Sequence, residues 1–506
     1  MDGVKKTVLP FRELVQDTGS IFFVSRTIMS FEEVLSKIDD VVWGIPTIAL
    51  ILVTGLLMTI MSRGIQFTKL GRAFKSIFKK NEGHGELSGF SALCTALSAT
   101  IGTGNIVGVA TAILAGGPGA LFWMWVAAIL GTATKYAECM LSIKYREVKE
   151  DGHVLGGPFY VIEKGMGKGW KWLAILFAIF GTLVGLFGIG TFTQVNGICG
   201  AIQNAFDPEK ANIAFTIGNG ENAHAYTWAT VIGGAVITLS TALVVVGGLK
   251  RISKVAEKIV PAMAIIYIFL GLSVIIMNAT RIPEAFALIF TGAFGADTGM
   301  QAISGAAAGT IIRLAMQKGI ARGIFSNEAG LGSAPIAASA VQTNEPVEQG
   351  LVNMTGTVID TLIICTMTGL SIVLSGIDVW NSGLEGSALT SAAFSAMLGG
   401  DGHSVQFLLM LCLIFFAFTT ILGWDYYSEK CLEYLTNGNM VVVKIYRWLY
   451  IIAVAIGPYM TISAVWTIAD ITNGLMAIPN CISLIVLSGV VAKETKKYFE
   501  KYPKLQ

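Results

Sequence analysis

Leu87 to Thr134 is a run of 48 residues without one charged side chain, and at its centre stands Ile101-Gly102-Thr103-Gly104-Asn105-Ile106-Val107-Gly108. The run is long enough to cross a bilayer, which takes about 20 apolar residues. Its centre, however, is written in residues that break helices: two glycines and an asparagine so close together each cost helix stability. In lipid, freed backbone N–H and C=O groups are costly unless something polar satisfies them. Interrupted helices of this kind survive where the exposed backbone binds a solute or an ion, so the segment points to a membrane carrier.

Composition agrees. Hydrophobic residues make up 54% of the chain and charged ones 13%, against about 25% charged in a soluble domain. The 58 glycines suit close helix packing in lipid. A net charge of +2 without a basic, aromatic-interleaved patch gives no reason to expect a nucleic-acid partner. The seven cysteines show no CxxC spacing, which argues against metal or disulfide roles. The first 35 residues mix charges with only a short apolar patch, Ile21 to Val24, so no cleavable signal peptide is expected.

Apolar segments predict an all-α polytopic membrane protein with eleven spans. They lie near 41–62, 89–115, 119–143, 170–206, 227–247, 258–278, 300–325, 351–376, 404–428, 445–463 and 468–492. The fourth is too long for an upright helix and is expected to tilt. The seventh is interrupted by Arg313, Lys318 and Arg322. The segment 63–80 carries six basic residues and no acid. A second basic loop holds Lys250, Arg251, Lys254 and Lys258, and the tail is Lys-rich. The segments 375–403 (Asp378, Glu385, Asp401) and 206–226 (Asp207, Glu209, Glu221 against Lys210) are acidic. Basic loops on the cytoplasmic side give an external N-terminus and a cytoplasmic C-terminus, consistent with an odd number of spans.

Setting the first span aside leaves five plus five. The first helix of the first set holds the Gly102–Gly108 break. The first helix of the second holds two glycine clusters, Gly305–Gly309 and Gly323-Ile324-Phe325-Ser326-Asn327-Glu328-Ala329-Gly330. Five is odd, so the halves have opposite topology, and matching breaks in inverted halves point to a midplane site. Which cluster unwinds is open at this level. The alternative is that these glycines only permit tight crossings, as Gly181 and Gly185 do four apart. The expected organisation is an extracytoplasmic segment 1–40, an extra first helix 41–62, a first five-helix repeat 89–278, an inverted repeat 300–492 and a cytoplasmic tail 493–506.

Such breaks offer half-helix N-termini to an anion and unwound carbonyls to a cation. An amino acid zwitterion with Na⁺ needs both. Thr103, Thr419, Thr420, Asn105 and Gln194 supply neutral oxygens suited to a hard cation or an ammonium. Thr420 and Trp424 share a helix face, with Trp424 placed to limit side-chain size. Each threonine has the alternative of bonding its own helix carbonyl, and Trp424 that of ordinary packing. Ionisable residues noted at membrane depth are Lys135, Glu138, Arg313, Glu328 and Asp425. Glu328 beside Arg322 reads as a structural ion pair or a gate.

The stretch Gly116-Gly117-Pro118-Gly119-Ala120-Leu121-Phe122-Trp123-Met124-Trp125 resembles a signature of the alanine or glycine:cation symporter family. Arg322-Gly323-Ile324-Phe325-Ser326-Asn327-Glu328-Ala329-Gly330-Leu331-Gly332-Ser333-Ala334-Pro335 resembles its second hallmark, and Gly102-Thr103-Gly104-Asn105 matches as well. The resemblance spans roughly 35–490. It implies a LeuT-type five-plus-five inverted repeat with one extra N-terminal helix, importing alanine or glycine with Na⁺ across the cytoplasmic membrane, with no organic cofactor and no required oligomer. Substrate-binding positions carried over by motif context are Thr103, Gly104, Gln194, Thr420 and Trp424. Asn105, Thr419 and Thr420 are candidate cation ligands, and Ser326, Asn327 and Glu328 a gate or structural motif.

Proton coupling needs a titratable group at the site, and segments 87–134 and 401–424 offer almost none. An intramembrane enzyme is disfavoured because no HExxH motif and no paired membrane Asp occur. A channel lacks a repeated filter or charged ring, and no GxxxxGK[ST] motif supports an ATP-driven pump.

Overall fold

The computed structural model describes residues 31–79, 83–150, 153–217, 224–295, 305–379, 381–399 and 402–502. Most of the expected 1–40 segment, the start of the seventh span (300–304), and the loop acids Glu221 and Asp401 lie outside the described residues.

The chain enters through α1 (Phe31–Val42) and α2 (Ile45–Met61), which meet at Trp43-Gly44, where Pro46 opens the second helix. The Trp43 indole donates to the Asp470 carbonyl at 2.9 Å and pins this entry to a helix far along the chain. The broken segment follows as α3 (Gly89–Thr100) and α4 (Val107–Gly116), joined by a single 3₁₀ turn at Thr103–Asn105. Ser88 caps α3, accepting from the Ser91 N–H at 3.0 Å. Gly117 (φ 70°) then turns the chain into α5 (Gly119–Tyr145). A Cβ on Gly119 would fall 2.3 Å from the Ala293 nitrogen, so the signature glycine marks a backbone-to-backbone contact.

The expected long span 170–206 is one apolar stretch, Lys168–Phe206, interrupted in its middle, so that it consists of α6 (Lys171–Phe187) and α7 (Phe192–Phe206). They break at Gly188–Thr191, because a Cβ on Gly190 would lie 2.8 Å from Trp424 Cβ and 2.6 Å from the Gly185 carbonyl. Next come α8 (Trp228–Val245) and α9 (Gly248–Met277). The second basic loop is therefore the opening of α9, not a loop. After α10 (Ile282–Ala293) runs α11 (Gly305–Asn327), then the non-helical Glu328–Ser333 and the short α12 (Ala334–Ser339). The unwound cluster is the second one: Gly330 (φ 89°) and Gly332 (φ 81°) take conformations glycine favours, whereas 305–309 are helical.

Next, α13 (Pro346–Thr357) passes through a π-helical stretch, Val358–Cys365, into α14 (Thr366–Ser375). The remaining helices are α15 (Gly386–Leu398), α16 (His403–Leu435), α17 (Met440–Ile456), α18 (Ile462–Val486) and α19 (Ser488–Lys501), the last forming the expected tail. Eight helical stretches among the described residues are long and apolar enough to span a membrane. The expected count of eleven is higher because 89–115 is cut at the break, α5 carries Lys135 and Glu138, and α11 carries Arg313, Lys318 and Arg322. Two small antiparallel hairpins connect helices: β1 (Glu147–Val148) with β2 (Val154–Leu155), and β3 (Ile213–Ile217) with β4 (His224–Thr227). The core centres on α5, packed against α11, α13 and α2, with α6 against α16 and α18.

At the basic-loop end, the Arg146 guanidinium donates to the carbonyls of Ser339, Val341, His84 and Thr343 at 2.5–2.7 Å. Beside it, His153 bridges Glu86 (3.2 Å) and Glu433 (2.9 Å), with Lys430 at 3.2 Å. The two carboxylates outweigh burial and the Lys430 charge, raising the imidazole from 6.5 to about 9. A raised folded value stabilises fully below the unfolded value and is lost as pH rises through about 9. The melting temperature should therefore fall between pH 7 and 10. His153→Ala should remove that slope, and an equal slope in the variant would assign it elsewhere.

Candidate functional site

The first break frees carbonyls that no helix can use, and hydroxyls from three other helices accept the task of capping them. Thr420 donates to the Ile101 carbonyl (3.2 Å), Thr368 to that of Asn105 (2.7 Å) and Thr390 to that of Ile106 (3.1 Å). Of the freed N–H groups, Thr103 donates to Gln194 Oε1 at 3.0 Å and Gly102 to Asn105 Oδ1 at 2.9 Å. Gln194 is itself held by its amide on the Ile189 carbonyl at 2.9 Å, at the kink between α6 and α7. Glycine is required at the break: a Cβ on Gly102 would lie 2.5 Å from Thr420 Oγ1, and one on Gly104 3.1 Å from Ser326 Cα.

Gly104 thus meets the end of α11, and the two breaks touch. At the second, Glu328 adopts φ 57°, a conformation that costs energy for any residue but glycine and concentrates at working sites. Its carboxylate is fully buried and accepts from Trp424 Nε1 (2.7 Å), Ser333 Oγ (2.8 Å) and Thr100 Oγ1 (3.4 Å). Asn327 caps the break, accepting from the Ala329 N–H at 2.9 Å and donating to Thr361 at 3.1 Å.

Between the breaks lies Asp360, fully buried in the π-helical stretch. It accepts from Asn105 Nδ2 (2.5 Å), Ser326 Oγ (2.8 Å) and Thr361 Oγ1 (2.7 Å). A π-turn inside a helix redirects side chains, and such turns recur at functional sites. Asp360 was missing from the ionisable residues noted in the sequence, although it is the single charged residue in 351–376. It also overturns the expectation that the site lacks a titratable group.

Of the other expected residues, Gly104, Thr420, Trp424, Ser326, Asn327 and Glu328 all stand at these contacts. The Thr103 hydroxyl is buried with no hydrogen-bond partner among the described residues. Thr419 turns away, donating to the Phe415 and Phe416 carbonyls at 3.1 and 3.0 Å. Arg322 does not pair with Glu328: it pairs with Asp470 and stacks on Trp466, 4.6 Å from the ring. Nearby, Lys135 and Glu138 stand 3.8 Å apart, both fully buried. Asp425 is buried with neither carboxylate oxygen hydrogen-bonded, and Arg313 is exposed.

Chemically, two buried carboxylates, Asp360 and Glu328, stand at the breaks with hydroxyl oxygens around them, a donor chemistry that matches a hard monovalent cation. The expected cation ligand Asn105 instead turns its N–H to Asp360 and its oxygen to the Gly102 N–H. Polar backbone flanks the cluster at the first break. Packing there is tight: a Cβ on Gly104 would lie 3.2 Å from the Phe325 ring, and Trp424 is 1% exposed.

The sequence pattern of the sodium:alanine symporter family matches residues 28–505. An uncharacterised transporter of Haemophilus influenzae is 49% identical over 475 residues, covering 94% of this chain and 97% of its own. The sodium/alanine symporter AgcS of Methanococcus maripaludis is 43% identical over 482 residues, covering 93% and 98%. Among solved structures, MhsT in complex with L-phenylalanine aligns with a TM-score of 0.53 at 13% identity, over 81% of this chain and 98% of that one. That likeness places the helical bundle in the LeuT-type fold class.

Proposed function

The chain belongs to the sodium:alanine symporter family, and we propose that it imports alanine or glycine with Na⁺ by alternating access. The membrane topology we infer has eleven spans: one extra helix over 41–62, which holds α2, then two inverted five-helix repeats over 89–278 and 300–492. The N-terminal segment 1–40 lies outside and the tail 493–506 in the cytoplasm, as the basic loops favour.

The observation that carries this reading is the meeting of two helix breaks at one buried carboxylate. Asp360 supplies the negative charge a cation needs. Asn105 and Ser326 sit in contact with it, one from each break. Thr103, Gly104, Gln194 and Thr420 line the substrate side, where the unpaired Thr103 hydroxyl is free to meet an amino acid. Close packing of Phe325 and Thr420 on the break glycines favours a substrate with a small side chain. Cation and substrate share one small space, so each stabilises the other's binding and the loaded carrier closes only when both are present.

The buried Asp360 also supports a second reading, in which a proton replaces Na⁺ as the driving ion. Radiolabelled alanine uptake into proteoliposomes separates them. An inward Na⁺ gradient should drive accumulation that K⁺ or a proton gradient alone does not. Accumulation driven by protons would select the second reading, and no uptake of alanine or glycine under any gradient would remove the substrate assignment.

A further inference from the structure

Five polar side chains in the seam between α5 and α13 are buried yet not fully satisfied: Lys135, Glu138, Gln349, Asn353 and Thr357. Lys135 Nζ, Glu138 Oε1, both amide atoms of Gln349 and the Thr357 hydroxyl have no hydrogen-bond partner among the described residues, and the Asn353 amide finds no oxygen or nitrogen partner, only the weakly bonding Cys139 thiol. The other Glu138 oxygen accepts from Asn480 Nδ2 at 3.0 Å. Buried polar groups are ordinarily paired, so such a concentration calls for an explanation.

The groups are arranged in register. Gln349, Asn353 and Thr357 are four apart and share one face of α13. A Cβ on Gly131 would meet Thr357 at 3.9 Å and one on Gly350 would meet the Tyr136 carbonyl at 2.7 Å, so α5 and α13 run antiparallel. Lys135 then falls at the level of Asn353, and Glu138 and Cys139 near that of Gln349. The stripe begins beside Glu348, which pairs with Lys79 at the basic-loop end. It ends one turn before Asp360, roughly 16 Å from Gln349 at 1.5 Å per residue. Lys135 Nζ stands 3.8 Å from Glu138 Oε1, a buried ion pair that faces the stripe.

We propose that this seam is a second station for a monovalent cation, through which the coupling ion passes between Asp360 and the cytoplasm. The oxygens of Thr357, Asn353, Gln349 and Glu138 replace its water in turn, and Lys135 holds the carboxylate charge when the ion has left. The inference rests on the Na⁺-coupled reading above.

The test uses the full chain in proteoliposomes with two measurements. Net Na⁺-driven alanine uptake requires the ion to leave into the lumen. Alanine exchange at equal, saturating Na⁺ on both faces does not. Asn353→Leu, nearly the same size, should cut net uptake about tenfold while exchange stays within about twofold. Gln349→Leu should act in the same direction, and Asn353→Ser, which restores an oxygen, should recover net uptake. Net uptake and exchange falling in parallel, an unchanged ratio, or failure of the serine variant would overturn the station. If the native chain itself shows no Na⁺-driven accumulation, the symport reading fails first, before any variant is compared.

Discussion

Asp360→Ala should abolish Na⁺-driven alanine uptake, and Asp360→Asn should raise the Na⁺ concentration for half-maximal uptake by about a hundredfold. The carboxylate accepts from one residue of each break, Asn105 and Ser326. Removing it leaves Thr361 Oγ1 without its acceptor and leaves Asn105 Nδ2 and Ser326 Oγ only weak ones, the Asp360 carbonyl and Cys365 Sγ, at about 1–3 kcal/mol for each group left unsatisfied. The asparagine keeps much of that bonding and removes only the charge, so it isolates the electrostatic part. A loss of about 2.7 kcal/mol corresponds to the hundredfold shift and is modest for a cation in a dry site. Ser326→Ala, which removes a neutral partner, should cost about tenfold. An Asp360→Asn carrier with the native Na⁺ response would place the cation elsewhere. If protons drive transport, the same variant should instead lose its dependence on the proton gradient.

The breaks were legible because glycine and asparagine inside a charge-free run have no helical reason to be there. The same argument found Glu328, whose unusual backbone conformation lies between α11 and α12. Helix phase was less legible. Thr419 and Thr420 are neighbours in sequence with identical chemistry and both bond carbonyls of their own helix, but only the rotation of α16 lets Thr420 also reach the Ile101 carbonyl. Pairing between distant residues was not legible at all. Arg322 finds Asp470, 148 positions away, over the nearby Glu328, because Asp470 lies on α18 beside Trp466. Asp360 could have been found, since a lone charge in an apolar span is a functional candidate by default. The four-residue spacing of Gln349, Asn353 and Thr357 was equally visible, but its meaning depends on the facing Lys135 and Glu138.

Trp424 was expected to limit substrate size, and the structure adds a second duty that two substitutions can separate. The indole is 1% exposed, packs edge-on against Tyr427 with centroids 5.5 Å apart, and donates to Glu328 Oε1. One side chain therefore sits a helical turn from Thr420, which caps the first break, and holds the carboxylate of the second. Trp424→Phe keeps most of the bulk and removes the donor. It leaves Glu328 with Ser333 and Thr100 alone, a loss of about 1–3 kcal/mol for a buried charged acceptor. Uptake should fall about tenfold or more with the substrate range unchanged. Trp424→Ala removes the donor and the volume together. It should cost about 3–5 kcal/mol in stability as a large-to-small core change, and the carrier that remains should accept bulkier neutral amino acids. Competition of alanine uptake by leucine and phenylalanine reads the difference. Competition appearing in the alanine variant alone would establish Trp424 as the wall of the pocket. Competition in neither would leave it only the bond to Glu328, and a phenylalanine variant with native uptake would remove that duty as well.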